Sequence, residues 1–131
     1  MIAVDTNVLV RLLTGDDSKQ YAAPRSLFAA EQIWIAKTVL LETQWVLRRL
    51  YGFRDDATRE AFNRLLGLDN VQIEDKGSFA AALALTTHGV GLADALHLNS
   101  RPSGVTFVTF DQALVRRAKR AGETGIIELS S

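Results

Sequence analysis

Short apolar runs alternate along the chain with longer segments of helical periodicity. Runs rich in β-branched and aromatic residues predict strands, and apolar residues three and four apart predict helices. The predicted strands are 2–4, 33–36, 71–74 and 105–110, with a further edge strand in the segment GIIEL near the C-terminus. The predicted helices are 7–13, 18–31, 39–51, 57–66, 77–87, 92–100 and 112–121. This alternation predicts an α/β fold, with a central, mainly parallel sheet between crossover helices.

Several helix boundaries are marked by residues that cap helices. Asp55 or Asp56 is expected to cap the fourth helix, and Gly67 is expected to end it. Pro24 is awkward inside the second helix, so that helix is kinked or begins later than residue 18. With 131 residues and no repeat or linker, a single domain over residues 1–131 is the simplest interpretation.

Composition and charge exclude several classes of protein. Fifteen basic and fifteen acidic residues cancel, so the chain lacks the basic excess that binds nucleic acid by bulk electrostatics. No cysteine is present, which excludes disulfides and thiolate metal sites and fits a reducing compartment. The N-terminus lacks a basic region, and the longest uncharged stretch, 77–93, is too short and too polar for a membrane span. A cytoplasmic protein without membrane association is expected.

Two acids directly follow predicted strands. Asp5 comes after the apolar run IAV, and Asp111 comes after VTFVTF. In open parallel sheets ligands bind beyond the carboxyl ends of the strands, so both acids are candidates for a binding or catalytic site there. Each could instead be the N-cap of the helix that follows.

Two further acids lie within predicted helices. Glu42 is spaced three and four residues from Val39, Trp45 and Val46, so it is expected to project from an apolar stripe, where an unpaired acid is costly. An ion pair with Arg49 is the alternative. Asp94 lies among apolar and small residues in GVGLADALHL, and its alternative role is to stabilise the first turn of a helix.

These four carboxylates predict a metal site if they lie together, because a cation would relieve their mutual repulsion. An all-oxygen ligand set favours Mg²⁺ or Mn²⁺, as one or two ions, with water and substrate phosphate oxygens completing the shell. Such ions suit hydrolysis of a phosphodiester. The sequence carries no Walker A loop, no GxGxxG and no nucleophilic serine or cysteine motif.

Four segments, AVDTNVLVRLL, LLETQWVL, GVGLADALHL and VTFVTFDQAL, resemble in order and spacing the four acidic motifs of PIN-domain ribonucleases, especially VapC-type toxins of bacterial toxin–antitoxin pairs. The resemblance extends over nearly the whole chain. It implies a PIN-like three-layer α/β/α sandwich, Mg²⁺-dependent endoribonuclease activity on single-stranded or structured RNA, homodimerisation, and neutralisation by an antitoxin protein.

The resemblance also assigns roles to individual residues. It makes Asp5, Glu42, Asp94 and Asp111 the catalytic and metal-binding acids. Asp5 and Asp94 are the best candidates for direct ligands, and Glu42 and Asp111 would ligate the metal or orient its water. The residues that match small polar positions of the family, and are expected to hold carboxylates or waters by hydrogen bonds, are Thr6, Asn7 and Thr109. Thr6 and Asn7 could instead cap the helix that follows.

Cations are expected beside an acidic pocket to hold the flanking phosphates of RNA. The candidates are Arg48, Arg49, Arg116 and Arg120, although the run RRAKR could equally be a solvated helix face. Helical spacing separates Arg117 from this set.

Two other classes of protein are alternatives. A phosphatase of the haloacid-dehalogenase type would place a second carboxylate at Asn7, which is an amide here. A PIN-like domain that binds RNA or a protein without cutting is disfavoured because all four acids are intact, and a pure binder has little reason to keep costly acids on apolar faces. The second and fourth predicted helices could form an apolar groove for an antitoxin helix or for a second copy of the chain. Its residues would be Tyr21, Leu27, Phe28, Phe62, Leu65 and Leu66.

Overall fold

A computed structural model describes residues 1–15 and 22–130. The chain divides into two compact units, Met1–Lys76 and Gly77–Ser131, and each is described by itself. The prediction of one domain over residues 1–131 stays a prediction.

The first unit contains three strands and four helices in its described part. In chain order they are β1 (Ile2–Ala3), α1 (Thr6–Thr14), α2 (Ala22–Ala30), β2 (Ile33–Ile35), α3 (Lys37–Leu50), α4 (Asp55–Leu66) and β3 (Val71–Ile73). The strands form a parallel sheet in the order β1-β2-β3, with Ile2 opposite Ile33 and Ile33 opposite Val71. Helix α1 lies against α2 and α3, and α4 lies against α3 and β3.

Alternating burial explains how this sheet is held. Ile33 and Ile35 of β2 are completely buried, as are Leu40 and Leu47 of α3 and Phe62 of α4. Helical spacing puts Leu40 and Leu47 two turns apart on one side of α3. The buried side of the helix therefore faces the core, and its other side is left for solvent or ligand.

The second unit begins with α5 (Lys76–Leu85), whose first residue belongs to the first unit. A 3₁₀ turn (Thr86–His88), α6 (Leu92–Asn99), β4 (Phe107–Thr109), α7 (Gln112–Arg120) and β5 (Ile126–Glu128) follow. Strands β4 and β5 pair in parallel, with Val108 opposite Ile127, and α7 lies against β5. One face of this pair is apolar and exposed, and its members are Val108, Phe110, Ile127 and Leu129.

Arg101 closes the end of the two-stranded sheet where the strands begin. Its guanidinium donates hydrogen bonds to the carbonyl oxygens of Val105, Thr124 and Gly125 at 2.7–2.8 Å. Gly125 has φ +70°, and a Cβ at that position would lie 3.2 Å from the Arg101 guanidinium. The positive φ favours glycine at this position, and a Cβ there would also crowd the Arg101 guanidinium.

The predicted elements are confirmed where the chain is described, including the edge strand at the C-terminus. Each strand is two or three residues long, shorter than predicted. The predicted start of the second helix, at residue 18, lies outside the described residues. All strand pairs described are parallel, which confirms the predicted α/β class.

The predicted cap of α4 is wrong. Arg54 occupies the N-cap position without a side-chain hydrogen bond, and Asp55 and Asp56 lie inside the first turn. Asp56 Oδ1 accepts from the Ala57 amide at 2.9 Å. The free amides and the positive end of the helix dipole stabilise an acid anywhere in the first turn, so Asp55 and Asp56 are favourable there without being the N-cap.

Most of the apolar residues that the sequence assigned to a groove on α2 and α4 are not fully at the surface; Leu66 is half-buried, and Leu27 lines a pocket of about 500 Å³ with residues of α1. Phe28, Phe62 and Leu65 are buried in the core, Leu27 is half-buried, and Tyr21 lies outside the described residues. Nowhere in residues 1–15 and 22–130 is a helix both long and apolar enough to span a membrane.

Candidate metal and nucleic-acid site

Asp5 joins β1 to α1. Its backbone is extended, with φ −93° and ψ 179°, and its Oδ1 accepts a hydrogen bond from the Val8 amide at 3.1 Å. Asp5 is therefore the N-cap of α1, the alternative considered from the sequence. Thr6 and Asn7 are the first two residues of the helix, so neither caps it. Asp5 Oδ2 accepts no hydrogen bond from any described residue, and this oxygen is available to a ligand.

Asp5 and Glu42 line one pocket of about 240 Å³. Asp5 follows β1, and Glu42 lies in the second turn of α3, which follows β2. Because β1 and β2 are neighbouring parallel strands, the pocket lies at the carboxyl edge of this sheet, where ligands bind in α/β proteins. Its full lining is Asp5, Thr6, Asn7, Thr38, Val39 and Glu42.

Glu42 has a different environment from the one predicted. The buried residues of α3 are Leu40, Thr43 and Leu47, and Glu42 is exposed on another side of the helix. The predicted apolar stripe is therefore wrong, and so is the cost of burial inferred from it. Glu42 also makes no ion pair or hydrogen bond with any described residue, whereas the Arg49 guanidinium lies 5.9 Å from the centre of the Trp45 ring. The alternative of a Glu42–Arg49 ion pair is thus wrong too.

In the second unit, Asp111 repeats the arrangement of Asp5. It follows β4, and its Oδ1 accepts from the Leu114 amide at 3.0 Å as the N-cap of α7. The Asp111 amide in turn donates to Thr109 Oγ1 at 3.0 Å. Thr109 therefore holds the backbone of a candidate acid, where the sequence predicted a hydrogen bond to a carboxylate or water.

Asp94 is the third residue of α6 and is half-buried. The N-cap is Gly91, which has no side chain to satisfy the free amides of the first turn. An acid at this position is favoured by the helix dipole, as the alternative from the sequence supposed. Neither carboxylate oxygen of Asp94 accepts a hydrogen bond from the described part of the chain.

The side chains of the first-unit pocket suit a hard cation. Asp5 and Glu42 supply carboxylates, Thr6 and Thr38 hydroxyls, and Asn7 an amide. Oxygen donors are those that Mg²⁺ and Mn²⁺ prefer, and Mg²⁺ is commonly held by one or two carboxylates with water and phosphate oxygens. In the described residues no group of three or more His, Cys, Asp or Glu is placed to hold a metal ion. The residues that the structure brings together are thus the pair Asp5 and Glu42.

Thr38 was missed in the sequence. Its signal is its spacing, because it lies four residues before Glu42 and so occupies the same side of α3 one turn earlier. Thr6 is buried and Asn7 is exposed, and both line the pocket; their roles as hydrogen-bonding supports stay predictions.

The candidate RNA-binding arginines have separate environments. Arg48 lines a second pocket of about 500 Å³ with Phe53, Arg54, Asp55, Asp56 and Arg59. Arg116 and Arg120 are exposed on α7. Arg117 donates to the Gly89 carbonyl oxygen at 3.1 Å, so it is separated from Arg116 and Arg120 as the spacing predicted.

Parallel strands alternate with helices in this chain, and Asp5 and Asp111 each follow a strand, separated from its end by one residue. These features define an α/β protein with an acidic, all-oxygen pocket. The PIN domain family model matches residues 2–120, and the chain belongs to that family. PIN domains are generally metal-dependent nucleases, and they generally bind divalent metals. A search of curated proteins found no match.

Proposed function

We propose that this PIN domain is a Mg²⁺-dependent endoribonuclease of the VapC type, the toxin of a toxin–antitoxin pair acting in the cytoplasm. The observation that carries the proposal is the pocket at the carboxyl edge of β1 and β2. Its two carboxylates, Asp5 and Glu42, have oxygens that no described protein group uses. Membership of the PIN domain family supports the nuclease activity, and the four-motif resemblance to VapC-type toxins supports the more specific role.

The proposed cofactor is one or two Mg²⁺ or Mn²⁺ ions. Asp5 and Glu42 share a pocket that would hold such an ion, and the family resemblance adds Asp94 and Asp111 to the proposed ligands. When bound, such a cation makes water a stronger acid and neutralises charge that develops on a phosphate. Asp5 and Asp94 are assigned as direct ligands, and Glu42 and Asp111 as ligands or as acceptors that orient water.

The protein itself prepares two of these acids for that task. Asp5 and Asp111 each give one oxygen to the helix they cap, which fixes the carboxylate and leaves the other oxygen for a ligand. Thr109 adds a hydrogen bond to the backbone of Asp111. Preorganised ligands lose less conformational freedom on binding, which favours metal affinity.

Arg48, Arg49, Arg116 and Arg120 are proposed to contact RNA phosphates beyond the acidic pocket. All four side chains are exposed, as contact with a polyanion requires. Replacing one of these arginines by glutamine removes one phosphate contact. The slope of log binding constant against log salt concentration should then become smaller by about 1. RNA titrations at several salt concentrations measure this slope.

A homodimer and an antitoxin complete the proposal. The exposed apolar face of Val108, Phe110, Ile127 and Leu129 supports self-association, because an apolar face shared by two copies is removed from water in both. Light scattering of the purified protein measures this directly, and a monomer mass at micromolar concentration would contradict it. Co-expression with the product of a neighbouring small reading frame tests for the antitoxin.

The central experiment incubates purified protein with a labelled RNA pool in Mg²⁺ or in EDTA. Wild-type protein should cut in Mg²⁺ alone, and Glu42→Gln and Asp5→Asn should not cut. Asp69→Asn is the matched control, because Asp69 is an exposed acid outside the pocket and should leave cleavage unchanged. Cleavage that persists in EDTA or in Glu42→Gln would refute the metal-nuclease proposal. RNA retention without cleavage would favour a binding domain.

A further inference from the structure

Helix α3 carries a stripe of four polar or aromatic side chains outside its buried face. The stripe consists of Thr38, Glu42, Trp45 and Arg49, at successive steps of four, three and four residues. Such steps place neighbours on one side of a helix. Its first two members line the acidic pocket, and the other two continue beyond the pocket along the helix.

Trp45 is one of two large apolar residues of α3, with Leu50, that are exposed. Its side chain is 55% exposed, whereas Leu40 and Leu47 of the same helix are fully buried. The Arg49 guanidinium lies 5.9 Å from the centre of the indole ring. This distance is within the range of a cation–π interaction, which restrains the ring and places a positive charge beside it.

The distances along the helix suit a substrate that enters the pocket. Trp45 lies three residues beyond Glu42, a rise of about 4.5 Å, and Arg49 lies seven residues beyond it, a rise of about 10.5 Å. An aromatic face followed by a cation is the combination with which proteins bind single-stranded nucleic acid, stacking a base and pairing a phosphate. The bases of a duplex are stacked on one another and cannot lie on an indole in this way.

We propose that Trp45 and Arg49 form a subsite for an unpaired nucleotide that flanks the cleaved phosphate, so that the substrate is single-stranded at this position. The base stacks on the Trp45 indole, and the Arg49 guanidinium contacts the adjoining phosphate. The charge of Arg49 favours a polyanionic occupant over an apolar protein surface. This inference rests on the proposed nuclease function, and it names the residues that hold the nucleotide beside the same pocket.

Tryptophan fluorescence tests the subsite without any cleavage, because binding is measured in EDTA. The chain has two tryptophans, Trp34 in β2 and Trp45, so Trp34→Phe leaves Trp45 as the only indole. A short oligouridylate should quench the fluorescence of wild type and of Trp34→Phe. It should leave the fluorescence of Trp45→Phe unchanged, although that variant still binds through its phenyl ring.

Affinity gives a second measurement. Trp45→Ala should bind oligouridylate about 5- to 150-fold more weakly than wild type, the range expected for loss of one stacked base. Leu50→Ala is the matched control, because Leu50 is also exposed on the last turn of α3 but lies off the stripe, and it should bind as wild type does. An RNA duplex of the same length should quench the fluorescence of Trp45 less than the single strand does.

Several results would overturn the subsite. Unchanged affinity in Trp45→Ala, no quenching in Trp34→Phe, or equal quenching by the duplex would each do so. A Trp45→Ala variant with a lower mass by light scattering and wild-type RNA affinity would show that the face is a protein contact. Failure of the nuclease proposal is separate, since it appears as absent cleavage in Mg²⁺ while stacking in EDTA is retained.

Discussion

Asp5 and Glu42 line the same pocket, yet they differ in what they do for the fold. One oxygen of Asp5 caps α1, while Glu42 accepts no hydrogen bond from the described residues. Asp111 and Asp94 repeat this contrast in the second unit, one as an N-cap and the other without a described partner. The cap accounts for one acid of each pair without any ligand. Of the other two, Asp94 is favoured by the helix dipole alone, and Glu42 makes no hydrogen bond or ion pair with a described residue.

Glu42→Gln should remove most of the cleavage and leave the fold intact. Substitutions of residues that merely support a metal ligand cost about 10–100-fold in affinity or activity, so losing a carboxylate of the pocket should cost more than about 100-fold. The free energy of unfolding in EDTA should change by no more than about 0.5 kcal/mol, because Glu42 is exposed. Cleavage assays and urea unfolding measure the two effects.

Glu42→Gln also has a thermal signature. Millimolar Mg²⁺ should raise the melting temperature of wild type by mass action and should raise that of the variant less. An equal rise in both proteins would mean that Glu42 does not contribute to metal binding.

At Asp5, two substitutions should separate the cap from the charge. Asp5→Asn keeps an oxygen that can accept from the Val8 amide, and Asn is as good an N-cap as Asp. Asp5→Ala should lose about 1 kcal/mol of stability in urea unfolding, while Asp5→Asn should stay near wild type. Both should lose cleavage. Equal free energies of unfolding for the two variants would show that the hydrogen bond from the Val8 amide to Asp5 does not stabilise the fold.

Thr109 should show the smallest effect. Thr109→Val removes the acceptor for the Asp111 amide and should cost about 0.5 kcal/mol, the lower end for one hydrogen bond, because the residue is only half-buried. Cleavage should fall by less than in Glu42→Gln. Thr109→Ser keeps the hydroxyl and should restore both quantities. Failure of the serine to do so would assign the effect to packing of the methyl group.

The sequence predicted the elements well because strand and helix periods differ strongly in this chain. It also placed Asp5 and Asp111 after strands, which the structure confirms. It could not separate a capping acid from a ligand, since both roles place a carboxylate at the same position. The structure adds that one oxygen of each acid is used by its helix.

The sequence failed at Glu42 for a geometric reason. Val39 and Val46 are half-buried at the margin of the core-facing side of α3, and Trp45 is exposed. A prediction that treats all three as core residues places the buried face of α3 on the side that carries Glu42. Periodicity alone could not reveal this, because it gives the spacing of apolar residues but not which of them the neighbouring elements cover.

Arg101 has a consequence for the electric field of the protein. Its three acceptors are carbonyl oxygens, which carry no net charge, so the guanidinium is fixed in place and remains a full positive charge. An ion pair would have fixed it equally well and cancelled it. The charge is therefore held at a position set by the backbone, with no carboxylate bonded to it among the described residues, and Glu123 lines the same pocket as Arg101.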